Sequence, residues 1–169
     1  MKQLFEVQCP SMKGKKLIEN SDLFSWIDRD FAEYGANKPG GKTEAQTLEV
    51  LEIDKDGTFD DYFNKNQVLS QEQIIWFVRK HKDKLRDNGT FFLFKSGDDF
   101  FVADVRVDSF GLFVRVGRFE NSSVWHADDR HRVVVPQLSL KNSEQSLKLF
   151  DPLELKIEYS GIKYKLVKE

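Results

Sequence analysis

The sequence predicts an α+β fold: a curved antiparallel sheet, open or partly closed into a barrel, of about six strands in the C-terminal part, packed by a helix over residues 71–87 and joined by a smaller helical N-terminal lobe. Three observations predict it. A helix-start signal at Ser70 opens an amphipathic run. After Gly89 the texture changes to short apolar alternations separated by two-residue turns. Before residue 67 the best apolar pattern has helical period. The chain reads as one domain, residues 1–169, with the lobe over 1–66 and the helix plus sheet over 67–169.

Taken in order, "QLFEVQ" at residues 3–8 suits a short first strand. Asn20 or Ser21 is placed to cap a helix through "DLFSWIDRDFAEY", with Leu23, Phe24, Ile27, Phe31 and Tyr34 on one face. Gly35 then stands where a helix C-terminus needs a positive φ. Lys38-Pro39-Gly40-Gly41 is a loop. Residues 46–54 alternate as a strand, although Thr43 and Gln46 also have capping-box spacing. The strand is favoured, with Asp56-Gly57 as its turn.

Ser70 with Gln73 makes a capping box, and Leu69 with Ile74 a hydrophobic staple. Ile74, Phe77, Val78, His81 and Leu85 form the apolar stripe, with Asn88-Gly89 at its end. The strand run follows as "TFFLFK", "DDFFVADVRVD", "GLFVRVGRFE" and "RHRVVVPQL". Near the C-terminus, "LELKIEY" and "IKYKLVK" flank Ser160-Gly161, a hairpin signal. Connections this short force antiparallel pairing.

Apolar residues are 40% and charged residues 32% of the 169, the balance of a folded, soluble chain. Fifteen Phe imply broad core contacts. A net charge of −2 argues against bulk binding to nucleic acid or anionic membrane. Cys9 is the lone cysteine, which excludes an internal disulfide and a four-cysteine zinc cage. The N-terminus lacks the apolar run of a signal peptide, and no stretch approaches the roughly 20 apolar residues of a membrane span. A cytoplasmic protein is expected.

Two stretches carry familiar letters. "ANKPGGKT", Ala36 to Thr43, resembles the phosphate loop of P-loop nucleotide hydrolases at Gly41, Lys42 and Thr43. That loop works between a strand and a helix, where backbone N–H groups converge on the anion. Here an amphipathic helix precedes it, so a solvated turn is expected. Glu52 to Phe63, "EIDKDGTFDDYF", resembles an EF-hand calcium loop at Asp54, Asp56, Gly57 and Asp60. Phe63 replaces the bidentate Glu that completes the calcium shell. An acidic turn is expected there also.

"VWHADDRHR", Val124 to Arg132, is the densest polar and aromatic cluster. His126, Asp128 and His131 supply imidazole and carboxylate suited to a metal-assisted hydrolase, and the structural reading is a strand connection. No nucleophile–base arrangement is recognisable, so no catalytic residue, metal or cofactor is assigned. The leading expectation is a non-catalytic module that binds protein. On "FVADVRVD", Ala103, Val105 and Val107 face one side and Asp104, Arg106 and Asp108 the other. On "LFVRVGRF", Leu112, Val114 and Val116 face the core while Phe113, Arg115 and Phe119 look outward. The expected binding residues are Arg106, Phe113, Arg115, Trp125 and His126, since aromatic and Arg side chains dominate hot spots. A nucleic-acid partner through the same face is the lesser alternative, because Asp104 and Asp108 oppose phosphate. No membrane partner is expected.

Overall fold

The computed structural model of the chain describes residues 1–14 and 23–138, and the backbone of two short strands, 157–159 and 162–164. The chain divides into two compact units, Met1–Gln137 and Leu138–Glu169. The helix start expected at Asn20 or Ser21 lies outside the described residues. In chain order the first unit contains β1 (Lys2–Cys9), β2 (Trp26–Ile27), α1 (Asp30–Glu33), β3 (Gln46–Glu52), α2 (Phe59–Tyr62), α3 (Gln71–Lys80), β4 (Thr90–Ser96), β5 (Asp99–Asp108), β6 (Gly111–Arg118) and β7 (Arg132–Pro136). The second holds an antiparallel pair, β8 (Ile157–Tyr159) and β9 (Ile162–Tyr164), flanking Ser160-Gly161 as expected.

The seven strands of the first unit make one mixed sheet in the order β1-β3-β7-β4-β5-β6-β2, open at β1 and β2. This corrects the expected fold in three respects. The sheet is not antiparallel throughout, because β7 runs parallel to β4 and β2 parallel to β6. The short turns at β4–β5 and β5–β6 do force antiparallel pairs. Residues 119–131 are long enough to cross over, and they set β7 on the far side of β4. There is also no helical N-terminal lobe. β1 and β3 are sheet strands, and β3 pairs with both β1 and β7.

The helix expected through residues 21–34 is reduced to α1. Its neighbours Trp26 and Ile27 are drawn into the sheet edge, where Ser25 N–H donates to Leu112 O at 2.8 Å and Asp28 N–H to Val114 O at 3.0 Å. Phe24 and Phe31 still meet edge to face at 6.0 Å, so strand-and-turn geometry serves the apolar pattern that suggested a helix. Gly35 has φ +77, as its place predicted.

The third correction is to the helix expected over 71–87, which stops at Lys80. Ser70 Oγ accepts from Gln73 N–H, and Gln73 Oε1 accepts from Ser70 N–H, so the capping box forms. Ile74, Ile75, Phe77 and Val78 are buried on one face of the sheet. Past Val78 the polar run "RKHKDK" offers no further apolar turn. A single 3₁₀ turn at Lys82–Lys84 lets Leu85 re-enter the same core in extended conformation.

β4 explains the layering. Thr90, Phe91, Phe92, Leu93 and Phe94 are all 0% exposed, so both faces of this strand must be covered. On the first face Phe92 and Phe94 meet α3 with Leu48, Val50, Ala103, Val105, Val114 and Val134. On the second, Phe91 and Leu93 meet Ile53, Phe59, Tyr62, Phe63, Phe119, Val133 and Val135. Thus residues 53–63, whose sequence resembles a calcium loop, form a cover for the second face. Phe119, expected outward, is 1% exposed inside that second core.

Phe77 is fully buried and packs edge-on to Phe92 at 5.5 Å. Phe77→Ala should therefore cost roughly 3–5 kcal/mol, as removal of a large buried ring leaves a cavity. Urea melts read it, and a loss under about 1 kcal/mol would show that α3 does not seat on the sheet.

Candidate functional site

The second face is covered only in part. Along β5 it reads Val102, Asp104, Arg106, Asp108, and along β6 Phe113 and Arg115 stand beside them in register. The apolar cover ends at Val102 and Phe91, and the residues beyond are charged. They floor a cleft of about 390 Å³ lined by Trp26, Asp87, Asp104, Arg106, Asp108, Phe113 and Arg115. β2 brings Trp26 to one side, and the segment entering β4 brings Asp87 to the other. The strand phase read from sequence holds here. Arg106, Phe113 and Arg115 lie in one cleft.

Trp26 is 44% exposed. Its ring leans on Phe113 with centroids 6.5 Å apart at 33°, and the Arg115 guanidinium lies 5.9 Å from its centroid. Arg115 therefore sits near an aromatic face, an arrangement that shields one side of the cation while its N–H groups remain available to a ligand.

At the base, Arg106 Nε and Nη2 donate to Asp104 Oδ2 at 3.0 and 2.8 Å. Asp104 is 8% exposed, and its Oδ1 has no hydrogen-bond partner. Burial pushes its carboxyl above the usual range, with Arg106 opposing the shift. Gly89, at φ +123, makes room for this oxygen, since a Cβ there would stand 2.5 Å from Oδ1. Beyond Gly89 lies His131, which is buried against Phe91 and Trp125 with centroids 4.9 and 5.1 Å away. Its Nε2 is 3.5 Å from Asp129 Oδ2, and neither ring nitrogen has a well-aligned partner. Burial holds this imidazole below its ordinary pKa, with Asp129 and Asp104 opposing the shift.

Trp125 and His126 do not line the cleft. Trp125 is half-buried in the second core, stacked on Phe59 at 5.4 Å. His126 is exposed, with Nδ1 3.0 Å from Asp56 Oδ2, while Ala127 N–H donates to Asp56 Oδ1 at 2.8 Å. Gly57 and Trp125 exchange backbone hydrogen bonds, and the Tyr62 hydroxyl lies 3.0 Å from the carbonyls of Lys55 and Trp125. The calcium-like turn and the 124–132 loop thus clamp one another. His126 faces Asp56 at the surface while His131 is buried, so they do not converge with Asp128. Among the described residues no three His, Cys, Asp or Glu side chains are grouped to hold a metal ion.

The phosphate-loop letters lead into strand β3 and not a helix, and Gln71 Nε2 donates to Gly35 O beside them. Cys9 is buried, and burial pushes its thiol up to about 11, so no thiolate forms at neutral pH. No helix among the described residues is long and apolar enough to cross a membrane.

The sequence reading missed Trp26 and Asp87 as cleft residues. Trp26 had left one signal: it falls off the apolar stripe of Leu23, Phe24, Ile27, Phe31 and Tyr34, where a helix would show a polar side chain. Comparison with protein-family models, curated proteins and solved structures gave no match.

Two outcomes are expected. Gly89→Ala should cost roughly 1–3 kcal/mol in urea melts, because it adds strain at positive φ to a collision with Asp104. His126 should titrate above the ordinary value of 6.5, chiefly through its hydrogen bond to Asp56. With the folded pKa raised, whatever the pair adds to stability is complete below the unfolded value and fades as pH rises through the folded one. NMR titration of the imidazole should show the raised value, and Asp56→Asn should return it to the ordinary range.

Proposed function

We propose that the protein is a non-catalytic binding module that takes another protein in the cleft on the second sheet face. The observation that carries this reading is the uncovered half of that face. There Trp26, Phe113, Arg106 and Arg115, residue types that dominate binding hot spots, line one concavity on rigid strands. Beside the cleft the middle of the same face is covered by Ile53, Phe59, Tyr62, Phe63 and Phe119, so the opening lies next to a packed core. Cleft carboxylates at Asp87, Asp104 and Asp108 oppose the successive charges of a phosphate backbone, though not a single carboxylate placed at one guanidinium, which favours protein over nucleic acid. The cytoplasm is the compartment proposed with it, on the single, buried cysteine.

Selection from a random peptide display library against the full chain tests the reading. The recovered peptides should compete with one another and shift the indole N–H signal of Trp26. The double variant Phe113→Ser with Arg115→Glu should keep the wild-type circular dichroism and melting midpoint yet lose the peptides by about tenfold or more. Peptides that bind the folded double variant unchanged would place the interaction elsewhere.

A further inference from the structure

We infer that the cleft recognises an acidic side chain, Asp or Glu, beside an apolar residue in a short segment of the partner protein. This rests on the cleft being the protein-binding surface, and it follows from which charges there are already engaged. Asp104 holds Arg106 through Oδ2. Asp108 Oδ1 accepts from the backbone N–H groups of Phe110 and Gly111 at 2.7 and 3.2 Å, which fixes the β5–β6 turn. Asp87 Oδ1 accepts from Asn88 N–H at 2.9 Å.

Arg115 is different. Among the described residues it has no ion-pair partner, Asp104 opposite it on β5 being paired with Arg106, and its guanidinium lies 5.9 Å from the Trp26 ring. A guanidinium fixed on one side by a ring presents its remaining donors in a plane, the geometry that a carboxylate meets with two parallel hydrogen bonds. The Trp26 and Phe113 rings adjoin it and offer apolar surface for the neighbouring side chain. The volume of about 390 Å³ suits a short segment and not a folded domain.

The test uses the full chain, ¹⁵N-labelled, and three capped pentapeptides: acetyl-Gly-Phe-Glu-Leu-Gly-amide and its counterparts with Gln or Lys in place of Glu. The Glu peptide should shift the Trp26 indole signal and bind about threefold or more tightly than the Gln peptide at low salt. That preference should disappear in Arg115→Gln and persist in Arg118→Gln, whose guanidinium lies over Tyr34 and not in the cleft. Equal binding of Glu and Gln, or preference for Lys, at the Trp26 signal would overturn the acid preference and leave the cleft as a peptide site. No shift from any of the three, or a shift with inorganic phosphate or decathymidylate alone, would overturn it as well. The display selection presupposes no acid, so it judges the cleft separately.

Discussion

A strand buried on both faces is the constraint on which this molecule depends. Thr90 to Phe94 expose nothing, and four of the five are large and apolar. Each such side chain is worth about 1.5–3 kcal/mol only if it is fully covered. One layer of cover is therefore insufficient. α3 supplies the first, and the segment from Ile53 to Phe63, with Phe119 and Trp125, supplies the second. The mutual clamp of Gly57 with Trp125 and of Asp56 with His126 follows from this demand, since it ties together two loops that would otherwise close independently over Phe91.

The same demand accounts for the parallel pairing. Two antiparallel turns after β4 leave the chain at the end of β6, pointing the same way as β4. The Val133-Val134-Val135 run needs two covered faces as well, and the sheet centre is where both exist. Crossing to the other side of β4 puts Val133 beside Phe91 and Val134 beside Phe92. That move sends residues 119–131 over the second face, which is how Phe119 and His131 come to be buried there and Trp125 half-buried.

How much of this was legible depended on whether the signal was local. The capping box at Ser70, the alternation of β5 and β6, and the hairpin at Ser160-Gly161 are written in adjacent residues, and their phase placed Arg106, Phe113 and Arg115 on one face. "TFFLF" was legible as a strand but not as a doubly covered one, because a continuous apolar run has no period from which to read its two faces. The helix through 21–34 failed because edge pairing with β6 is a long-range backbone interaction that periodicity does not contain. "VWHADDRHR" looked like a chemical cluster because its letters are dense. Space separates them: His126 precedes a 3₁₀ turn at the surface, and His131 enters the core just before β7.

The cleft exists because the second cover is incomplete, and its composition follows from that. Where Val102 is covered the strand stays apolar; two residues on, Asp104 is buried without such cover and must be matched by Arg106. A buried ion pair of this kind is weak support for stability, since desolvation offsets much of its attraction. Its stronger effect is geometric. Two hydrogen bonds on one oxygen hold Arg106 on the floor, Gly89 gives Asp104 the room to stand there, and Arg115 is held separately by Trp26. Arg106 is thereby set before any ligand arrives, which lowers the ordering cost of association. The orphaned Oδ1 of Asp104 shows the opposing side of the same arrangement. A buried polar group without a partner is costly, and at Asp104 that cost is met at the wall of the cleft.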